Sequence, residues 1–188
     1  MAIKIYIDQG HNPYGPNAGA EGNGLREQDI TYIVGRYLYD LLSANPNFEA
    51  KLSRENSQEI LGNSNATSLQ TRVRDANTWG ADYFISLHTN ASVIESASGS
   101  EAFVFRRDSD AEILAGNILE QLNFATGLTN RGVFARPGLY VLRRTRMPAV
   151  LTELGFITNP VDAELMAYSP QLFASGVTNG ILAYLGML

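Results

Sequence analysis

The chain holds only two histidines, His11 and His88, and no cysteine. Each histidine stands at or just past the end of an apolar run: Ile3-Lys-Ile-Tyr-Ile ahead of His11, and Tyr83-Phe-Ile-Ser-Leu ahead of His88. Two glutamates occupy comparable places. Glu153 closes the run Ala149-Val-Leu-Thr, and Glu27 opens an amphipathic stretch. Zinc accepts imidazole nitrogen and carboxylate oxygen, and a catalytic zinc takes three protein ligands and leaves a position for water. That water's pKa falls from 15.7 to roughly 7. Two histidines and one glutamate as ligands, with the other glutamate as general base and acid, suffice for amide hydrolysis. Each residue also has an ordinary reading. A histidine after a strand is commonly a loop hydrogen-bonder. Glu27 suits the first turn of a helix, where the dipole favours an acid. Glu153 could be the partner of a structural arginine, since an unpaired buried carboxylate is costly.

These four residues converge only if particular elements position them. The first strand is read over Ile3–Ile7, ending near Asp8. A glycine- and proline-bearing loop follows from Gln9 to Arg26, long enough to expect a functional one. Ile30, Ile33, Val34, Tyr37, Leu38, Leu41 and Leu42 recur at helical spacing, predicting a helix from Glu27 to about Ala44, ended by Asn45-Pro46. Phe48–Leu52 reads as a strand. Thr67 or Ser68 is expected to cap a helix running to Trp79 with Leu69, Val73, Ala76 and Trp79 inward. Tyr83–His88 reads as a buried central strand and Glu101–Arg106 as another. Asp108–Ala125 reads as a helix burying Ile113, Leu114, Ile118, Leu119 and Leu122. Leu139–Arg143 and Ala149–Glu153 are expected to be strands, and two helices, Val161–Ala167 and Pro170–Leu185, close the chain. Strands alternating with helices predict an α/β fold: one three-layer sandwich over residues 1–188, a mainly parallel twisted sheet flanked by helices. Ligand sites in such sheets lie at the carboxyl ends of the strands, where His11, His88 and Glu153 fall.

Composition narrows the function further. The 188 residues are 45% hydrophobic and carry a net charge of −5. An acidic chain argues against a nucleic-acid surface. No apolar stretch approaches the roughly 18 residues of a membrane span. Without cysteine there is neither a disulfide framework nor a thiol nucleophile. No secretory signal is read at the start, which leads us to expect a trimmed chain or export by another route.

Four segments in order carry a resemblance. Ile5-Tyr-Ile-Asp-Gln-Gly-His11, Asn23-Gly-Leu-Arg-Glu27-Gln-Asp29, Ile85-Ser-Leu-His88-Thr-Asn90-Ala and Pro148-Ala-Val-Leu-Thr-Glu153-Leu-Gly-Phe-Ile-Thr-Asn159 resemble motifs of the zinc-dependent N-acetylmuramoyl-L-alanine amidases. Arg131-Gly132 and Leu139-Tyr-Val-Leu142 resemble two further pieces, so the likeness spans about Ile3 to Leu185. Gln9 and Asn12-Pro13 depart from the family's Pro and Gly-Gly, beside the ligand and not at it. The resemblance implies zinc held by His11, Glu27 and His88, with Glu153 as the catalytic carboxylate that takes a proton from water and gives it to the departing nitrogen. Glu27 is preferred to Glu21 as the ligand, because it opens a helix while Glu21 lies between mobile glycines. The resemblance further implies peptidoglycan as substrate. The bond cut would be the amide between the lactyl group of N-acetylmuramic acid and L-alanine of the stem peptide.

Bacterial cell-wall, extracytoplasmic action and a monomer are expected; whether an activator protein takes part is not legible. A zinc exopeptidase or deacylase on a related scaffold, or a wall-binding module without turnover, are the alternatives. Asp8 or Asn90 could orient a ligand. Among Arg131, Arg136, Arg143, Arg144 and Arg146, one or two could bind stem-peptide carboxylates, with most of them expected to be a solvated face. Tyr32, Tyr37 and Tyr39 are expected at the core or its boundary.

Overall fold

The computed structural model describes residues 2–188. Its elements in chain order are β1 (Ile3–Gln9), β2 (Glu21–Gly22), β3 (Leu25–Arg26), α1 (Glu27–Ser43), β4 (Phe48–Leu52), α2 (Asn65–Trp79) and β5 (Tyr83–Asn90). There follow β6 (Ser100–Val104), α3 (Asp110–Thr126), β7 (Asn130–Ala135), α4 (Tyr140–Arg144), β8 (Ala149–Phe156), α5 (Pro160–Tyr168) and α6 (Pro170–Tyr184). Six strands form one sheet in the order β4-β1-β5-β8-β6-β7. β4, β1, β5 and β8 run parallel; β6 is antiparallel to β8, and β7 pairs parallel with β6. The expected α/β architecture with a mainly parallel sheet is therefore present.

Side chains alternate across the strands, so each face of the sheet has its own core. One face packs Ile5, Ile7, Ile85, Leu87, Val150 and Leu154 against α1, α3 and α6. The other packs Tyr6, Phe84, Ala149 and Leu151 against Val73 and Ala76 of α2 and Val141 and Leu142 of α4. The side chains of Asp8, Ser86, His88 and Glu153 belong to this second face by the same alternation.

Several expectations are corrected. Leu139–Arg143 is not a strand: Tyr140–Arg144 is a short helix. Val141 and Leu142 are consecutive and both buried, which a one-sided period-2 strand does not do. The strand on that stretch of chain is β7, whose Asn-Arg-Gly-Val-Phe-Ala reads as polar edge rather than core. α2 is capped three residues before Thr67: Ser64 is its cap, accepting from the Thr67 N–H at 3.1 Å, and the Thr67 hydroxyl oxygen in turn accepts the Ser64 N–H. Ile33, Tyr37 and Leu41 of α1 and Ile113 of α3 are exposed. The buried line of α1 is the i, i+4 row Ile30, Val34, Leu38 and Leu42, narrower than the apolar stripe suggests. The first long loop also contains the small hairpin β2–β3.

Candidate metal and catalytic centre

β1 and β5 lie side by side, and the chain leaves β1 at Gly10 directly beside His88. A side chain at Gly10 would place its Cβ 2.5 Å from the Leu87 carbonyl oxygen and 2.6 Å from the His88 ring. Glycine is thus required for the two histidines to approach each other. The next residue, His11, adopts a left-handed backbone with φ 68°, an uncommon conformation for a non-glycine residue. Its backbone is held there by Arg72 of α2, which is 1% exposed. Arg72 donates to the carbonyls of Gln9 at 2.6 Å and His11 at 2.5 Å, and to Asp8 Oδ1 at 2.6 Å. Burial pushes the Asp8 carboxyl up, but the Arg72 guanidinium outweighs it and holds Asp8 below the usual carboxylate range.

His11 Nδ1 lies 3.2 Å from the Asn17 carbonyl oxygen. A carbonyl can only accept, so Nδ1 carries the proton and the Nε2 lone pair faces inward. His88 turns Nδ1 inward. His11 Nε2, His88 Nδ1 and Glu27 Oε1 stand 3.1 Å from one another in all three pairs. Glu27 is held at both oxygens: Oε1 accepts the Thr89 N–H at 2.9 Å and Oε2 the Ala20 N–H at 2.9 Å. β5 is irregular between His88 and Asn90, and Thr89 gives its N–H to Glu27 within that irregularity. Gly19 packs so tightly that a Cβ there would lie 2.8 Å from Glu27 Oε2. Burial raises the Glu27 pKa, yet the two imidazoles against it lower it more, and the net shift is downward.

Glu153 is aligned with His88 on the neighbouring strand, and with Glu101 on its other side. Its Oε2 is buried without a hydrogen-bond partner. Burial first, then the negative charges of Glu27 and Glu101, push its pKa up to about 8. The arginine partner that would make it structural is elsewhere: Arg131 pairs with Glu101 at 3.1 Å and stacks on Phe156.

The structure thus brings His11, Glu27 and His88 together, with Glu153 on the adjacent strand. Asp8 and Asn90 do not orient either histidine. Asp8 is committed to Arg72 and Ser86, and the Asn90 amide donates to Glu101 at 2.7 Å. The residues that do hold the cluster, Arg72, Asn17, Ala20 and Thr89, escaped the sequence reading. Three of them act through backbone atoms, which leave no mark in residue type. Arg72 had a signal, a charge at i−1 of Val73 on a helix face otherwise expected to be apolar. Gln9 and Asn12, the two departures, are both buried and bonded. Gln9 ties β1 to Tyr32 and Arg54, and Asn12 ties the loop to Leu61.

A cavity of about 190 Å³ opens beside the cluster, reaching His11 and His88 and walled by Leu69, Leu139, Tyr140, Val141 and Leu151. The larger cavity of about 520 Å³, on the other side of α2 among Lys51, Glu55, Arg74 and Asp75, does not reach it.

The family described as Amidase_3, N-acetylmuramoyl-L-alanine amidase, matches residues 5–183. The protein YqiI of Bacillus subtilis is 37% identical over 187 residues, covering 96% of this chain and 84% of that protein. The N-acetylmuramoyl-L-alanine amidase CwlM of Bacillus licheniformis is 36% identical over 187 residues, covering 95% of this chain and 67% of its own length. The catalytic domain of CwlV, an N-acetylmuramoyl-L-alanine amidase of Bacillus (Paenibacillus) polymyxa var. colistinus, superposes with a TM-score of 0.86 at 28% identity. That match covers 99% of each chain.

Proposed function

The chain belongs to the N-acetylmuramoyl-L-alanine amidase family, and from that membership we propose that His11, Glu27 and His88 hold a zinc ion while Glu153 moves the protons. The enzyme hydrolyses the amide between the lactyl group of N-acetylmuramic acid and L-alanine of the peptidoglycan stem peptide. Membership in the family sets aside the exopeptidase, deacylase and non-catalytic readings. The substrate places its work in the cell wall, outside the cytoplasm.

The donor set suits zinc. Two imidazole nitrogens and one carboxylate oxygen, all with lone pairs turned to one point, repel one another at 3.1 Å unless a cation or proton lies among them. Metal–ligand bonds of about 2.0–2.1 Å in a tetrahedron set donors about 3.3–3.4 Å apart, close to the spacing here. Zinc in such a site supplies Lewis acidity, polarising a carbonyl and lowering the pKa of water towards neutrality. The chain's own residues do the rest. Asn17 fixes the His11 tautomer, and Thr89 and Ala20 hold Glu27 ionised and immobile. Glu153 Oε2, free of partners, takes a proton from the attacking water and hands it to the departing L-alanine nitrogen. A carboxyl poised near neutral pH can do both.

The observation that carries this reading is the mutual 3.1 Å spacing of three metal-type donors beside an orphaned carboxylate. Glu153→Gln keeps shape and loses the base. It should retain one zinc per chain by elemental analysis while turnover falls by about 10²–10⁴-fold. Loss of zinc together with activity would make Glu153 a ligand, and near-normal turnover would remove it from the reaction.

A further inference from the structure

α2 and α4 lie together on the sheet face that carries His88 and Glu153, and the crevice between them has two chambers. The inner one is the cavity at the histidines. The outer one, about 440 Å³, is lined by Gln70, Arg74, Asn77, Tyr140, Arg144 and Arg146. Tyr140 lines both chambers and stands between them.

The outer chamber has a charge pattern of its own. Among the described residues no carboxylate lines it, and none of its three arginines forms an ion pair. Elsewhere Arg26, Arg36, Arg72, Arg107 and Arg131 each hold a carboxylate, while Arg54, Arg106, Arg136 and Arg143 form no ion pair, in a chain whose net charge is −5. What distinguishes the outer chamber is that three unpaired guanidiniums share one concavity that no carboxylate lines. The dipole of α4 does not account for them, because Arg74 is in the middle of α2 and Arg146 lies beyond the end of α4. The backbone beneath them is pinned. The Asn77 amide donates to the Arg144 carbonyl at 3.0 Å and accepts the Arg146 N–H at 3.0 Å.

We propose that this outer chamber is the subsite for the free carboxylate nearest the scissile bond in the stem peptide. The inference rests on the amidase reading and extends it to the peptide side of the substrate. Arg144 lies one turn of α4 beyond Tyr140, about 6 Å of rise. An extended peptide advances about 3.3–3.6 Å per residue, so a stem leaving the inner chamber past Tyr140 brings its second residue to the arginines. The guanidinium fork matches a carboxylate with two parallel hydrogen bonds, and a neutral amide cannot accept in the same way.

The test uses two soluble muramoyl peptides that differ in one group. Both have L-alanine followed by D-glutamate; in one the D-glutamate α-carboxylate is free, in the other it is the carboxamide. With the zinc-loaded chain, kcat/KM should be about tenfold higher on the free carboxylate, the scale of one charge-assisted bidentate contact near the surface. In the Arg144→Gln, Arg146→Gln double variant that ratio should fall to near one, mainly through a raised KM for the carboxylate peptide. Arg144→Lys, which keeps charge without the fork, should give an intermediate ratio and covers the case in which the double variant does not fold. A wild-type ratio near one overturns the subsite, as does a ratio that survives these substitutions. Failure of the wild-type chain to cut either peptide or intact peptidoglycan would instead overturn the amidase reading, and the subsite with it.

Discussion

Glu27 and Glu153 are the same residue in opposite circumstances. Glu27 is buried but saturated, with a backbone N–H on each oxygen and two imidazoles beside it, and its pKa moves down. Glu153 is buried with one oxygen unpartnered and two acids nearby, and its pKa moves up to about 8. The difference is the one that a fixed anion and a proton carrier would each require. It also predicts a stability signature for metal-free protein. Between the ordinary value of 4.5 and about 8, the folded chain binds more protons at Glu153 than the unfolded chain does. The stabilisation is complete below that window and is lost as pH rises through it. Glu153→Gln removes a group that must be buried charged at high pH. In chelator, the variant should therefore be more stable than the parent at pH 9, by on the order of 1–3 kcal/mol. The two should nearly coincide at pH 4. Urea melts at both pH values measure this, and an equal gap at both would show that desolvation of Glu153 is not responsible.

At the scale of elements, the site depends on where helices begin and strands end. α2 carries Arg72, which holds the His11 loop, and one wall of the crevice. Its start is fixed by a capping box, Ser64 with Thr67, whose hydroxyl oxygen also accepts the Asn63 N–H. Ser64→Ala should cost about 1 kcal/mol, typical of a lost N-cap. For a chain of this size that lowers Tm by about 2–4 °C. Zinc stoichiometry should not change, because Arg72 lies two turns inside the helix; a calorimetric melt with metal analysis on the same sample checks both. A variant that loses zinc while folded would mean that the cap, and not the helix body, positions Arg72. At the same carboxyl end of β5 and β8, Asp162 in the first turn of α5 accepts from Ser98, Gly99 and Phe156, joining the β5–β6 connection to the end of β8.

The whole molecule reaches its centre from distant parts of the chain: a loop after β1, the first residue of α1, the end of β5 and the middle of β8. Such a site exists only in the folded state, so a metal held there would be linked to folding. Chelation should abolish activity and lower Tm, with both restored by added zinc, since a ligand bound only by the native state stabilises it by RT ln(1 + [L]/Kd). Titrating zinc into stripped protein while recording melts tests this. A Tm indifferent to zinc would argue that the cluster does not hold it.

The convergence of His11, Glu27 and His88, with Glu153 on the adjacent strand, was legible in the sequence as a candidate site, because chemistry restricts metal and proton work to few residue types and because each sits at the boundary of a strongly patterned element. The parallel strands were legible for the same reason, as near-continuous apolar runs such as Tyr83–His88. Leu139–Arg143 was not: five residues with mixed apolar and polar character satisfy either period, and only the available space decides, with β8 already paired to β5 and β6. β7 escaped as an edge strand, paired on one side and largely wet. The supports of the site were the least visible. The carbonyl of Asn17 and the amides of Ala20 and Thr89 act through the main chain, which every residue shares. The spacing of three donors at 3.1 Å, the left-handed turn at His11 and the buried clasp of Arg72 arise from chain segments dozens of residues apart, and only packing brings them into one place.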